Sequence, residues 1–227
     1  TMIANTSNTL NYVNLVDTTI YRVIVASGVC PADTSTSVTI TVDAPSVGGA
    51  VTMDDTVCAG ANAGVLTLSG QTGNVVGWEY SVDGGTTWIN ISNTTTSQAY
   101  TNLSTTTMYR ARVGNGVCPS VASTGATITV DPVVMGGTIS GSATVCATAN
   151  SGTLTLGSYS GTIITWETST DAGVTWTANS NTTATENYTN LTDTTWYRVI
   201  LASGVCGGDT STVAVVIVDP ATVGGTT

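Results

Sequence analysis

Apolar residues alternate with polar ones in short runs along this chain, and nowhere do they recur at helical spacing. Val38, Ile40 and Val42 share one side of a segment whose other side is mostly Thr. Ala126, Ile128 and Val130, and then Ala214, Val216 and Val218, repeat that arrangement. Leu66 and Leu68, like Leu154 and Leu156, alternate on an earlier segment. The runs Val-Val-Gly-Trp-Glu-Tyr around Trp78 and Ile-Ile-Thr-Trp-Glu-Thr around Trp166 predict a central strand. Successive side chains of a strand point to opposite faces, so Trp turns inward there and Glu79 or Glu167 outward.

The pattern recurs every 88 residues without insertion or deletion. Cys30, Cys118 and Cys206 close the same Gly-Val-Cys phrase, Gly48, Gly136 and Gly224 open the same Gly-Gly phrase, and Tyr21, Tyr109 and Tyr197 fall in step. Such a period exceeds the roughly 20–50 residues of a solenoid coil or propeller blade and suits a small self-contained domain. On this register residues 1–44 are the C-terminal half of a repeat, 45–132 and 133–220 are complete repeats, and 221–227 begin another. The expectation is a segment of a longer array.

About seven short strands per repeat, with a Trp on the third, predict an all-β chain of tandem immunoglobulin-like β-sandwich domains. Asp17-Thr-Thr-Ile-Tyr21 and Asp193-Thr-Thr-Trp-Tyr197 resemble the phrase before strand F of immunoglobulin domains. The resemblance implies a tyrosine corner, with the Tyr hydroxyl bonded back to the main chain. The middle copy lacks the Asp of that phrase. The expected core therefore holds Trp78, Trp166, Tyr21, Tyr109 and Tyr197.

Charge narrows the function classes. The chain has no His, four Lys plus Arg against fourteen Asp plus Glu, and a net charge of −10. Nucleic-acid binding rests on cations that neutralise phosphates, and this chain has almost none to offer. Anionic membrane surfaces are disfavoured for the same reason. No apolar run approaches the roughly 20 residues of a membrane span, so membrane insertion is not expected.

The five cysteines keep the period, Cys58 with Cys146 and Cys30 with Cys118 and Cys206. Zinc sites cluster their ligands, whereas these spacings are long, so the expectation is disulfides formed in an oxidising, extracellular setting. Two connectivities compete. Pairing within a repeat (Cys58 with Cys118, Cys146 with Cys206) closes a loop that stabilises each unit by about 4 kcal/mol in the chain-entropy model. Strict immunoglobulin topology, in contrast, puts the A–B and F–G loops at opposite ends and favours a bond between neighbours, such as Cys58 with Cys206. Peptide mapping is expected to recover the pairing within repeats, with Cys30 bonded to a partner outside the chain.

Ser81-Val-Asp83-Gly-Gly85-Thr-Thr-Trp88 and Ser169-Thr-Asp171-Ala-Gly173-Val-Thr-Trp176 resemble the Asp-box of sialidases. Its physical content is a β-hairpin: Asp accepts amide bonds across the turn, Gly takes a positive φ and Trp packs beneath. A propeller enzyme would need blades of about half this period. A hydroxyl nucleophile needs an adjacent base, and His and Lys are missing. Asp43, Asp54, Asp55, Asp131 and Asp219 form no repeated Asp-x-Asp cage for calcium. No enzyme, cofactor or metal is expected. Glu79 with Arg110 reads as an exposed ion pair across strands C and F.

Val-Gly-Gly, Val-Cys-Ala, Leu-Thr-Leu, Trp-Glu-Tyr-Ser, the Asp-box hairpin, Tyr-Thr-Asn-Leu, Tyr-Arg and Asn-Gly-Val-Cys together resemble the Ig-like or PKD-like tandem repeats of giant secreted Bacteroidota surface proteins. Many of those are adhesins exported by the type IX system. The resemblance implies an extracellular, envelope-anchored or filamentous protein. The fixed period and the absence of catalytic groups favour a structural stalk or filament segment, with adjacent repeats, further copies of itself and surface glycans as its expected partners. A carbohydrate-binding array is the alternative, with Trp196 (Ile20 and Met108 at its equivalents) as the outward aromatic.

Overall fold

The computed structural model describes residues 1–222, and every regular element among them is a strand. Residues 223–227, most of the segment read as the start of another repeat, lie outside the described residues. Residues 1–44 carry β1 (Thr19–Tyr21), β2 (Ile24–Val25), β3 (Asp33–Thr34) and β4 (Val38–Ile40). The middle repeat carries β5 (Ala50–Thr52), β6 (Asp55–Cys58), β7 (Ala63–Ser69), β8 (Asn74–Ser81), β9 (Ile89–Ile91), β10 (Ser97–Thr101), β11 (Thr107–Gly114), β12 (Val121–Ala122) and β13 (Ala126–Asp131). The third follows strand for strand with β14 (Thr138–Ser140), β15 (Ala143–Cys146), β16 (Ser151–Gly157), β17 (Thr162–Ser169), β18 (Thr177–Ala178), β19 (Thr185–Thr189), β20 (Thr195–Ala202), β21 (Gly208–Thr210) and β22 (Ala214–Asp219).

Each complete repeat is a two-sheet sandwich. In the middle repeat one sheet runs β10-β7-β5 and the other β6-β13-β11-β8-β9, with β12 against β11. The third repeat gives β14-β16-β19 and β15-β22-β20-β17-β18, with β21 against β20. Alternation sets the interior. On β11 every second residue (Thr107, Tyr109, Ala111, Val113) is buried, and β20 matches it. Trp78 and Trp166 are 0% exposed and pack with Leu66, Leu68 and with Leu154, Leu156. Each indole Nε1 donates to a carbonyl, of Thr95 at 2.9 Å and of Thr183 at 2.8 Å, so burying the polar edge leaves no donor unpaired.

One crossing positions everything that follows. β5 pairs antiparallel with β7, then the chain turns at Met53 (φ 91°) and crosses to the other sheet, where β6 runs parallel to β13. Gly141 (φ 104°) makes the same crossing in the third repeat. The register sets Cys58 opposite Asp131 and Cys146 opposite Asp219, at the far end of the last strand. Cys118 lies in the turn after β11, before β13 begins. With strands rising about 3.3 Å per residue, the length of β13 separates the two cysteines by roughly 20 Å, well beyond the ~7 Å that a disulfide spans.

Candidate functional site

The joints between repeats are the most elaborated sites in the molecule. At the second joint the chain leaves β13 at Asp131 and continues through Pro132 into the third repeat. The Asp131 carboxylate reaches the turn after β20, where the amide of Val205 donates to its Oδ2 at 3.0 Å. Gly204 beside it holds φ 42°, and a Cβ added there would collide with that same carboxylate. Glycine is therefore required twice, for the left-handed backbone and for the close approach. Cys206 follows at once, and its Sγ is bonded to Cys58 Sγ with Cα atoms 5.1 Å apart.

The first joint repeats this without the disulfide. Val117 donates its amide to Asp43 Oδ2 at 3.0 Å, and Gly116 (φ 53°) lies against the carboxylate as Gly204 does. The Cys118 thiol sits 3.5 Å from the Ala44 carbonyl oxygen. Asn115 adds bonds to Ser46 Oγ and the Ala44 carbonyl, both at 2.9 Å. The linker Asp thus binds the Gly-Val-Cys turn whether or not a disulfide follows.

This overturns the expected pairing within repeats. Cys58 is joined to Cys206 of the neighbouring repeat, not to Cys118, and Cys30, Cys118 and Cys146 are free thiols. The reason is the strand crossing, which carries Cys58 to the end of the sandwich facing the next repeat. Asp43 and Asp131, considered above only as calcium ligands, are turn-binding groups. The in-register recurrence of Asp43, Asp131 and Asp219 was the signal that could have shown it.

The Asp-box residues do come together as hairpins. Ser81 Oγ donates to Asp83 Oδ1 at 2.7 Å, and the Thr87 amide and hydroxyl donate to the same carboxylate at 2.9 and 2.6 Å. Ser169, Asp171 and Thr175 repeat this at 2.7, 2.8 and 2.6 Å. These donors, the Thr hydroxyl foremost, hold both Asp carboxyls well below the usual range, at about 2. Gly85 (φ 87°) and Gly173 (φ 81°) turn the chain, and Trp88 and Trp176 donate Nε1 back to their carbonyls at 2.9 and 3.0 Å.

Each hairpin Trp then supports an arginine, a contact that the sequence does not reveal. The Arg110 guanidinium lies 3.9 Å from the Trp88 ring centroid while its Nε contacts Glu79 at 2.6 Å. Arg198, Trp176 and Glu167 repeat this at 4.2 and 2.6 Å. The ion pair is therefore half-buried rather than exposed, and it is locked by a cation–π contact. The tyrosine corner is different from expectation. Tyr109 and Tyr197 are buried, but among the described residues their hydroxyls make no main-chain hydrogen bond. Thr107 and Thr195 tie the corner instead, donating to the carbonyls of Thr105 and Asp193 at 2.8 and 2.9 Å. Burial, aided by the Glu186 charge, pushes the Tyr197 hydroxyl up to about 12. Tyr21 is only half-buried, Trp196 and Met108 are half-buried, and Ile20 is exposed.

Among the described residues no group of three His, Cys, Asp or Glu side chains able to hold a metal occurs, and there is no helix long and apolar enough to cross a membrane.

Two-layer sandwiches repeated along one chain and bound through their linkers define a tandem immunoglobulin-like protein. The chain belongs to the family described as a domain of unknown function, DUF8696, which matches it three times, over residues 1–44, 47–132 and 135–220. Among solved structures it is similar to a fragment of the titin I-band, at TM-score 0.53 and 12% identity over 90% of this chain and 75% of that one. A four-Ig-domain N-terminal fragment of Dscam1 aligns at TM-score 0.47 and 12% identity over 83% of this chain. The chain spans about half the length of the Dscam fragments, 47% and 51%. No curated protein matches it.

Proposed function

We propose that this chain is a structural stalk or filament segment of a large extracellular, adhesin-like surface protein, and that it is not catalytic. The observation that carries the reading is the joint. Strand β13 passes into the next repeat through Asp131-Pro132 with no Gly/Ser linker, the Asp carboxylate binds the neighbour's turn, and a disulfide ties the same two repeats. Proline fixes φ and biases its predecessor toward extended backbone, so such a connection resists bending. A disulfide of this kind fits an oxidising compartment, and the likeness to Bacteroidota surface repeats supports export by the type IX route. Carbohydrate binding has less support: Trp88 and Trp176 each carry an Arg on one face, and Trp196 is half-buried.

Small-angle scattering on chains of two, three and four whole repeats tests the reading. A maximum dimension that grows in proportion to repeat number supports a stalk, and one that barely grows contradicts it.

A further inference from the structure

The second joint has two halves. One is a socket made by neighbouring strands of a single repeat, Cys58 on β6 and Asp131 on β13, which are register partners. The other is a plug, the Gly204-Val205-Cys206 turn of the following repeat. The third repeat presents the same socket again. Cys146 on β15 and Asp219 on β22 are register partners in the same parallel pairing, and both are exposed, whereas Cys58 and Asp131 are half-covered by the plug. The first joint supplies the complement: Gly116, Val117 and Cys118 form a plug already seated on Asp43, with a free thiol.

We propose that the Cys146/Asp219 face is a docking and disulfide-forming site for the Gly-Val-Cys turn of a further copy of this repeat, placed after Pro220. Asp219 receives the turn's Gly-Val amide as Asp131 does, and Cys146 Sγ bonds to the turn's Cys. The turn seats first, as the first joint does with no disulfide, and oxidation follows. Bond formation takes one proton and one electron from each thiol. A small-molecule disulfide such as oxidised glutathione accepts the two electrons by exchange through a mixed disulfide, and leaves as two thiols. In a run of such repeats each unit is bonded forward through its first cysteine and backward through its second, and none is bonded to itself.

The test is the whole chain carrying residues 133–220 a second time after Pro220, reduced and then reoxidised with oxidised glutathione. Non-reducing peptide mapping is expected to recover Cys146 linked to the added copy of Cys206, with Cys58–Cys206 formed in the same molecules as the internal measure of folding. In the unextended chain Cys146 is expected to alkylate freely. Asp219→Ala in the extended chain is expected to slow the new bond about tenfold, because the turn loses its local concentration at the thiol, while Cys58–Cys206 forms at its normal rate. Recovery of Cys146 free, bonded within its own repeat, or bonded between two chains would overturn the proposal.

Discussion

Residues 1–44 and the corresponding halves of the two complete repeats are the same sequence type in different company. All three keep the same ladder, β1 with β4, β11 with β13 and β20 with β22: Thr19 faces Ile40 and Tyr21 faces Val38, just as Thr107 faces Ile128 and Tyr109 faces Ala126. They share a finer detail as well. The amides of Val23, Ala111 and Val199 donate to Ser35, Ser123 and Ser211 hydroxyls at 2.9, 2.9 and 2.8 Å. Burial separates them. Val23 and Val25 are each 60% exposed, whereas Ala111 and Val113 are 0% exposed. Strand pairing and turn chemistry are local and survive alone. The core needs the equivalents of β7 and β8, with Leu66, Leu68 and Trp78, facing them. The joints divide the same way: the Asp43 contact needs only the segment that follows β4, and the disulfide needs the crossing made between β5 and β6, which residues 1–44 lack.

The strongest way to sharpen this contrast is to supply what is missing. A chain with residues 45–88 placed before Thr1 should gain a third sandwich, visible as an additional unfolding transition worth on the order of 5 kcal/mol. Slow amide exchange should appear at Val23 and Val25, and the added copy of Cys58 should bond to Cys118. If Val23 and Val25 stay unprotected, burial in the repeat does not follow from its sequence.

A smaller effect is expected at the joint. Gly204→Ala combines a left-handed backbone, costing about 1–2 kcal/mol for a residue with a Cβ, with a collision against Asp131. Gly207→Ala carries the same backbone penalty (φ 71°) with no atom within 4 Å of its Cβ. Only Gly204→Ala should accelerate reduction of Cys58–Cys206 by dithiothreitol. Equal acceleration by both variants would mean that the Asp131 contact does not hold the turn.

The smallest effect is one of pH and should be confined to the complete repeats, which alone contain the hairpins. Asp83 and Asp171 sit at about 2 in the folded protein against an ordinary 3.8, so their hydrogen bonds favour the ionised carboxylate. That contribution is full above about pH 4 and is lost as pH falls through about 2. The Thr87 and Thr175 amide resonances should shift across that window while those of Thr19 and Tyr21 do not follow. A midpoint near 3.8 for the hairpin amides would contradict the geometry.

Periodicity made most of the sandwich legible. Alternation placed Trp78, Trp166 and the leucines of β7 and β16 inside, and the Asp-box phrases marked two hairpins residue by residue. The joint was not legible, because it depends on one crossing between sheets. Gly141 carries a recognisable signal for a positive φ, but Met53, at the same place in the preceding repeat, gives none. Without that crossing, Cys58 and Asp131 are 73 residues apart in sequence with no sign that they are neighbours. The Arg110–Trp88 contact escaped for a similar reason, since the ion pair was read across two strands and the hairpin that covers it was read separately.

Single-molecule stretching tests most directly whether the joint couples the two complete repeats, as the proposed stalk requires. Cys58 and Cys206 are 148 residues apart, so the intact bond removes that length from the extensible path. At about 3.3–3.6 Å per extended residue, the reduced protein should release about 50 nm more contour length than the oxidised one when pulled between its ends. Equal contour lengths before and after reduction would contradict the account.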